Sequence, residues 1–188
     1  MWTNLTSWLH KNSPGWVAIV GLVIFVLFTA LVLPQQSAQA EANSGGADTP
    51  DLSFYYSPQE LYQMAEAYGE AGRQEYIRVR FTFDLFWPIV YTLFLVTSIS
   101  WLSRKGFSPD SIWQRANLVP VWAMILDYLE NISTSLVMFR YPARTPAVDF
   151  LAPIFTSIKW ILVGGSFVLL LIGIVAGLLT WLKKRNSK

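Results

Sequence analysis

The chain has 188 residues, 53% hydrophobic and 15% aromatic against 14% charged, which is too apolar for an ordinary soluble domain and too short for several domains. Its formal net charge of +2 is small and scattered, so no nucleic-acid partner is expected. The absence of cysteine excludes disulfides, thiol redox chemistry, iron–sulfur clusters and thiolate zinc sites, and the lone His10 cannot build a multi-histidine metal or haem site. No metal or cofactor is expected, and His10 reads as a solvated tail residue.

Four apolar windows lie between charges, at 15–33, 81–102, 116–139 and 151–182. Each is close to or above the roughly 20 residues that a helix rising 1.5 Å per residue needs to cross about 30 Å of hydrocarbon. The expected fold is all-α, an integral membrane four-helix bundle. The first window has a rival reading as a secretory signal, because Ala38-Gln39-Ala40 has the form of a cleavage site. Its nineteen uncharged positions exceed the roughly 7–15 residues of a signal core, which favours a retained anchor. Residues 1–33 are therefore read as a cytoplasmic tail and first transmembrane helix.

Next comes "PQQSAQAEANSGGADTPD", small, polar and rich in turn residues, so 34–56 is read as a flexible extracytoplasmic linker with its 35–50 stretch open to proteases. Ser57, Pro58 and Glu60 then form an N-cap, a first helical residue and a returning capping-box partner. Leu61, Met64, Ala65 and Tyr68 recur on one side, with Gln59, Gln63, Glu66 and Glu70 on the other. This amphipathic helix is expected to lie on the outer membrane surface, anchored by Phe54, Tyr55 and Tyr56; packing over the bundle mouth is the alternative. Together with three transmembrane helices it makes up 57–188.

In the second window Asp84 follows Arg80 by one turn, and Tyr91 follows Asp84 by two turns on the same face; if 85–102 spans alone, Asp84 sits at the interface, which Trp87 would mark. Pro88 is placed to kink that helix. The third window is bounded by Arg115 and Arg140, so Asp127 must sit near its middle, with Glu130 and Asn131 about one turn nearer the outer face. Asp127, Asn131, Thr134 and Met138 share one helical stripe, with Glu130 beside it. An acid at the centre of a span costs about 2.5–3.5 kcal/mol on insertion scales, so these groups need partners inside the protein. Lys159, with Thr156 on its side, can supply one: if the fourth helix spans from 151, Lys159 reaches Glu130 or Asp127. If 161–182 spans alone, Lys159 sits at the outer interface beside Trp160. The fourth window also carries a GxxxG, Gly173 to Gly177, which permits close helix packing within the chain or with a second copy.

Lys11, then Arg104, Lys105 and Arg115, then Lys183, Lys184, Arg185 and Lys188 fall on one side, which the positive-inside rule makes cytoplasmic. Trp16, Trp101, Trp113 and Trp181 lie at the same ends, as an interfacial aromatic belt does. The expected location is the cell membrane, multipass, with both termini cytoplasmic.

The segments "AYGEAGRQEYIRVRFTFDLFWPIVYTLFL", "DYLENIS" and "FTSIKW" resemble small, uncharacterised multipass membrane proteins of bacteria. The resemblance covers about residues 58–165 and implies no activity. Sterol-isomerase-like membrane proteins, which place acids and an amide or aromatic group in an intramembrane pocket, are an analogy only, because their histidine-containing motif is absent. There is no HExxH, Walker loop, GxGxxG or Gly-x-Ser-x-Gly elbow, so no reaction is assigned.

Three functions compete. In the first, Asp127, Glu130 and Asn131, helped by Asp84, Tyr91, Lys159 and Arg80, form a polar intramembrane pocket near the outer leaflet that binds or acts on a lipid-like amphipathic molecule. In the second, the chain is an accessory subunit with a membrane-protein partner or a second copy, and the acids only lock the helices. In the third, Asp127 and Glu130 are relay groups of a small proton-coupled carrier.

Overall fold

The structure is a computed structural model that describes residues 2–186; Lys188, one of the cations assigned to the cytoplasmic side, lies outside them. It is all-helical, with no strand among the described residues. In chain order the α-helices are α1 (Trp2–Lys11), α2 (Gly15–Leu31), α3 (Leu33–Asn43), α4 (Pro58–Ala67), α5 (Gly69–Arg80), α6 (Phe83–Gly106), α7 (Val119–Arg140) and α8 (Val148–Asn186), with 3-10 turns at Pro50–Leu52 and Ile112–Leu118. Three helical stretches are long and apolar enough to cross a membrane: Gly15–Asn43, Gly69–Gly106 and Val148–Asn186. The third apolar window of the sequence corresponds to α7, whose 22 residues extend about 33 Å. It starts at Val119 rather than 116 because the preceding residues wind into a 3-10 turn capped by Ser111, and Pro120 then occupies the first turn.

The chain divides into two compact units that cut across the long helices. One comprises Met1–Val26, Val90–Ala123 and Ile161–Lys188, as far as these are described. Here Phe25 of α2 stacks on Phe94 of α6 at 4.8 Å between centroids, and Phe167 of α8 lies 6.2 Å from Phe25. The GxxxG packs inside the chain: a Cβ on Gly173 would lie 3.1 Å from Leu102 Cβ, and one on Gly106 would lie 2.7 Å from Ala176 Cβ. His10 is not a solvated tail residue. Pro14 and the Ser13 hydroxyl, which donates to Leu9 O, end α1. The His10 ring is half-buried, 3.1 Å from Ser100 O and 2.9 Å from Gln114 O.

The other unit comprises Leu27–Ile89 and Met124–Trp160. Its 34–56 stretch holds more structure than its composition suggested. Pro34 sits in the first turn of α3, Gly45 and Gly46 take the positive φ values (63° and 82°) that reverse the chain, and Pro50 is buried at the start of its 3-10 turn. The small and turn-forming residues that read as a linker are here spent on a helix and two turns.

At α4 the expected capping box is present: Glu60 N–H donates to Ser57 Oγ at 3.2 Å and Ser57 N–H donates to Glu60 Oε2 at 2.6 Å. The helix is not spread on a lipid surface. Leu61, Tyr62, Met64 and Ala65 are buried with Val137 and Met138 of α7 and Ala152 of α8, so protein covers the apolar face that lipid was expected to cover. Tyr56 is buried as well, while Phe54 and Tyr55 stay exposed. Gly69, at φ 60°, lets the chain turn from α4 into α5. Ser57→Ala is expected to cost about 1 kcal/mol in a chemical-unfolding measurement. The Ser57 backbone N–H, and then its hydroxyl, hold the Glu60 carboxyl below the ordinary glutamate range. A depressed folded value means that the contribution is complete above the ordinary glutamate pKa and is lost as pH falls through the depressed one.

Candidate functional site

Along α7, Ala123, Asp127, Glu130, Asn131, Thr134, Val137 and Met138 are buried, whereas Ile125, Leu129, Ile132, Leu136 and Phe139 are exposed. The outward positions recur every three or four residues, so one stripe is apolar and the opposite one polar. This reverses the pattern of a helix on a water-soluble protein, and it points the acids into the second unit.

Two other elements bring cations to them. α5 ends at Arg80, and after a break at Phe81 and Thr82, α6 begins with Asp84 in its first turn, where a carboxylate suits the helix N-terminus. Pro88, fully buried, has no N–H for the Asp84 carbonyl one turn before it. Arg80 Nη1 lies 2.8 Å from Asp84 Oδ2 and 3.1 Å from Asp51 Oδ2, and its guanidinium carbon sits 4.6 Å from the centre of the Tyr76 ring. On α8, Lys159 Nζ lies 2.5 Å from Glu130 Oε2 and donates to Asp51 O at 3.4 Å. Lys159 therefore pairs within the protein rather than reaching outward past Trp160, whose Nε1 donates to the same Asp51 carbonyl at 3.2 Å. Both the Arg80–Asp84 and the Lys159–Glu130 contacts are ion pairs.

Hydroxyl groups complete the cluster. Thr156 Oγ1 is 2.8 Å from Glu130 Oε1 and 3.0 Å from Ala152 O, and its single proton serves these acceptors. Tyr56, 3.0 Å away, is then the donor to Thr156, giving a chain from phenol to hydroxyl to carboxylate. Burial, and then the negative charge of Glu130, push the Tyr56 phenol well above its ordinary range, which keeps it protonated as that donor. Tyr76 donates to Thr134 Oγ1 at 3.0 Å, and Asn131 Nδ2 faces Asp127 Oδ1 at 3.5 Å. Asp84 feels the charges of Arg80, Asp51, Asp127 and Lys159, and Glu130 those of Lys159, Asp127 and Asp51.

Of the residues singled out in the sequence, Arg80, Asp84, Asp127, Glu130, Asn131 and Lys159 lie in this one unit, all less than 10% exposed. Tyr91 is buried too, on the part of α6 that belongs to the other unit. The pattern of the chain left out Asp51, which joins both cations, one through its carboxylate and the other through its carbonyl. It also assigned Tyr56 to the lipid surface. For Tyr76 a signal existed, since it precedes Arg80 by four residues on one helix. Among the described residues no three His, Asp or Glu side chains converge closely enough to hold a metal ion.

No protein-family model, curated protein or solved structure matches the chain.

Proposed function

We propose that the protein is an integral membrane protein of four spans, with both termini cytoplasmic, whose buried charge cluster binds a lipid-like amphiphile from the outer leaflet. The observation that carries this reading is a surplus of acid. Among the described residues the cluster holds three buried carboxyl groups, Asp84, Asp127 and Glu130, and the half-buried Asp51, against two cations, Arg80 and Lys159. A cluster that served only to lock helices would be expected to balance its acids and cations, since gathering carboxylates in a buried site is costly. A headgroup carrying a cation or several hydrogen-bond donors would meet the surplus, and its tails would lie against the apolar stripe of α7. That stripe supports α7 as the fourth span, because a helix with its acids inward and its Ile, Leu and Phe outward suits lipid and not water. Asp51 belongs to the segment assigned to the outer side, which favours entry there.

A second reading has its own support. Both cations already have partners and the Tyr56–Thr156–Glu130 chain is complete, as in a scaffold that holds an accessory subunit together. Bound protons would also neutralise the surplus, as the groups of a proton-coupled carrier do.

Purification with native lipids followed by native mass spectrometry separates these readings: the proposal expects one retained amphiphile, and a co-purified protein with no amphiphile would overturn it in favour of the scaffold. The span number is tested by parity. Four spans put fluorescent-protein fusions at both termini in the cytoplasm, where they fluoresce, whereas termini on opposite sides would reduce the spans to three.

A further inference from the structure

Arg80, Asp84, Asp127, Glu130, Asn131 and Lys159 are each less than 10% exposed, so a molecule that binds them has to move part of the protein aside. The helices are poorly placed to move. Glu130 of α7 and Lys159 of α8 form a buried ion pair, and Tyr76 of α5 donates to Thr134 of α7, so parting these helices would leave a charge or a hydroxyl unpaired in the interior. Residues 48–55 are different. Apart from the 3-10 turn at Pro50–Leu52 they are irregular, and Pro50 alone among them is buried.

The hydrogen bonds and ion pairs that fasten this segment across the cluster all involve side chains. Asp51 Oδ2 pairs with Arg80 Nη1 at 3.1 Å, Asp51 O accepts from Lys159 and Trp160 of α8, and Phe54 O accepts from Ser157 Oγ at 2.9 Å. Its backbone–backbone hydrogen bonds stay inside it among the described residues, Leu52 and Ser53 N–H both donating to Thr49 O at 3.2 Å, so it can lift without unwinding a helix. Letting Asp51 go strands neither cation: Arg80 keeps Asp84 at 2.8 Å and Lys159 keeps Glu130 at 2.5 Å. The Asp51 side chain is already 21% exposed, so its carboxylate moves further into water. The two ends supply hinges. Gly46 has φ 82° and open space where a Cβ would lie, and Tyr56 is buried with its hydroxyl 3.0 Å from Thr156 Oγ1. Leu52, Phe54 and Tyr55, at 65%, 61% and 65% exposure, give the segment an apolar outer face that suits the headgroup level of a bilayer.

We infer that residues 48–55 are a gate over the acid cluster, hinged at Gly46 and Tyr56 and latched by Asp51, through which the lipid-like amphiphile enters. This rests on the reading of the cluster as a binding site. Opening exchanges the outer bonds of Arg80 and Lys159 for contacts with the incoming headgroup and leaves their inner ion pairs intact, so the cluster keeps its shape while it is reached.

The test locks the gate. The chain has no cysteine, so Phe54→Cys with Ser157→Cys provides its only two thiols, at positions that the Ser157–Phe54 bond holds adjacent. The full-length double variant, purified with native lipids, is either joined by a short bis-methanethiosulfonate or capped at both thiols with methyl methanethiosulfonate. The first readout needs no ligand: a water-soluble carbodiimide with glycine ethyl ester, read by peptide mass spectrometry, should label Asp127 or Glu130 in the capped protein. Joining should slow that labelling about tenfold while the exposed Glu66 and Glu70 react equally in both forms. The second readout is exchange of the retained amphiphile against deuterated lipid extracted from the expression host, followed by native mass spectrometry. Joining should slow exchange about tenfold, and reduction of the joined protein should restore it. Thiols that fail to join, cluster carboxyls that are labelled equally in both forms or in neither, or exchange at one rate in both forms would each overturn the gate. Labelling that depends on joining, in a protein that carries no amphiphile, would uphold the gate and overturn the binding site behind it.

Discussion

Lys159→Met is expected to lower the stability of the folded protein by about 3–5 kcal/mol, the usual effect of removing one partner from a buried ion pair. Glu130 is fully buried, and Lys159 Nζ, 2.5 Å away, is its paired cation. Methionine fills a similar volume, so most of the loss comes from the stranded carboxylate and little from a cavity. The double variant Lys159→Met, Glu130→Met should recover most of the loss, because replacing a whole buried pair by apolar groups of similar size is often neutral or stabilising. Thr156 keeps Ala152 O as an acceptor in that background, so its hydroxyl is not orphaned. Unfolding in detergent micelles, run on both single variants and the double, measures the coupling. A lysine reaching out to the interface would behave otherwise: an exposed pair is worth about 0–1 kcal/mol, and a loss of that size for Lys159→Met would contradict the buried pairing.

The second large effect is expected at Arg80. Arg80→Met leaves two carboxylates, Asp51 and Asp84, without the cation they share, and removes its stacking over Tyr76. A loss of about 3–5 kcal/mol is expected again, with part of it recovered by Asp84→Asn in the same background. Arg80→Lys should restore little, because a compact ammonium lacks the planar group that stacks on the ring. The Asp51 contact has a separate readout. It ties the segment after α3 to the end of α5, so Asp51→Ala should expose residues 44–56 to limited proteolysis while the wild type stays resistant there. Equal cleavage rates in the two proteins would show that the contact does not hold the segment.

What could be read from the chain depended on how local the determinants are. Ser57, Pro58 and Glu60 lie within four residues, and the capping box they form is present. Asp127, Glu130 and Asn131 lie on one turn and a half of one helix, so their common burial follows from the period of 3.6. The position of Lys159 was open because the fourth apolar window allows two placements, and α8 removes the choice by beginning at Val148 and running unbroken past Lys159. Asp51 was not legible at all. It lies in a short 3-10 turn with no periodicity, and its role comes from contacts with residues 29 and 108 positions away. Tyr56 was misplaced for a related reason: beside exposed Phe54 and Tyr55 it looks like a membrane anchor, and only Thr156 of α8 shows where its hydroxyl goes.

The most direct test of the acid cluster as a binding site is Asp127→Asn. The change keeps the size of the side chain and one hydrogen-bonding oxygen while removing its charge. Glu130→Gln is less informative, since it strands Lys159 and mixes stability with binding. Wild type and Asp127→Asn, purified in parallel with native lipids, are compared by native mass spectrometry and by unfolding in the same micelles. The account predicts that the wild type carries a bound amphiphile and that Asp127→Asn loses it, while stability changes by less than about 1–2 kcal/mol, the range of an ordinary hydrogen-bond change. Equal retention in the two proteins, or a wild type that carries no amphiphile at all, would contradict it.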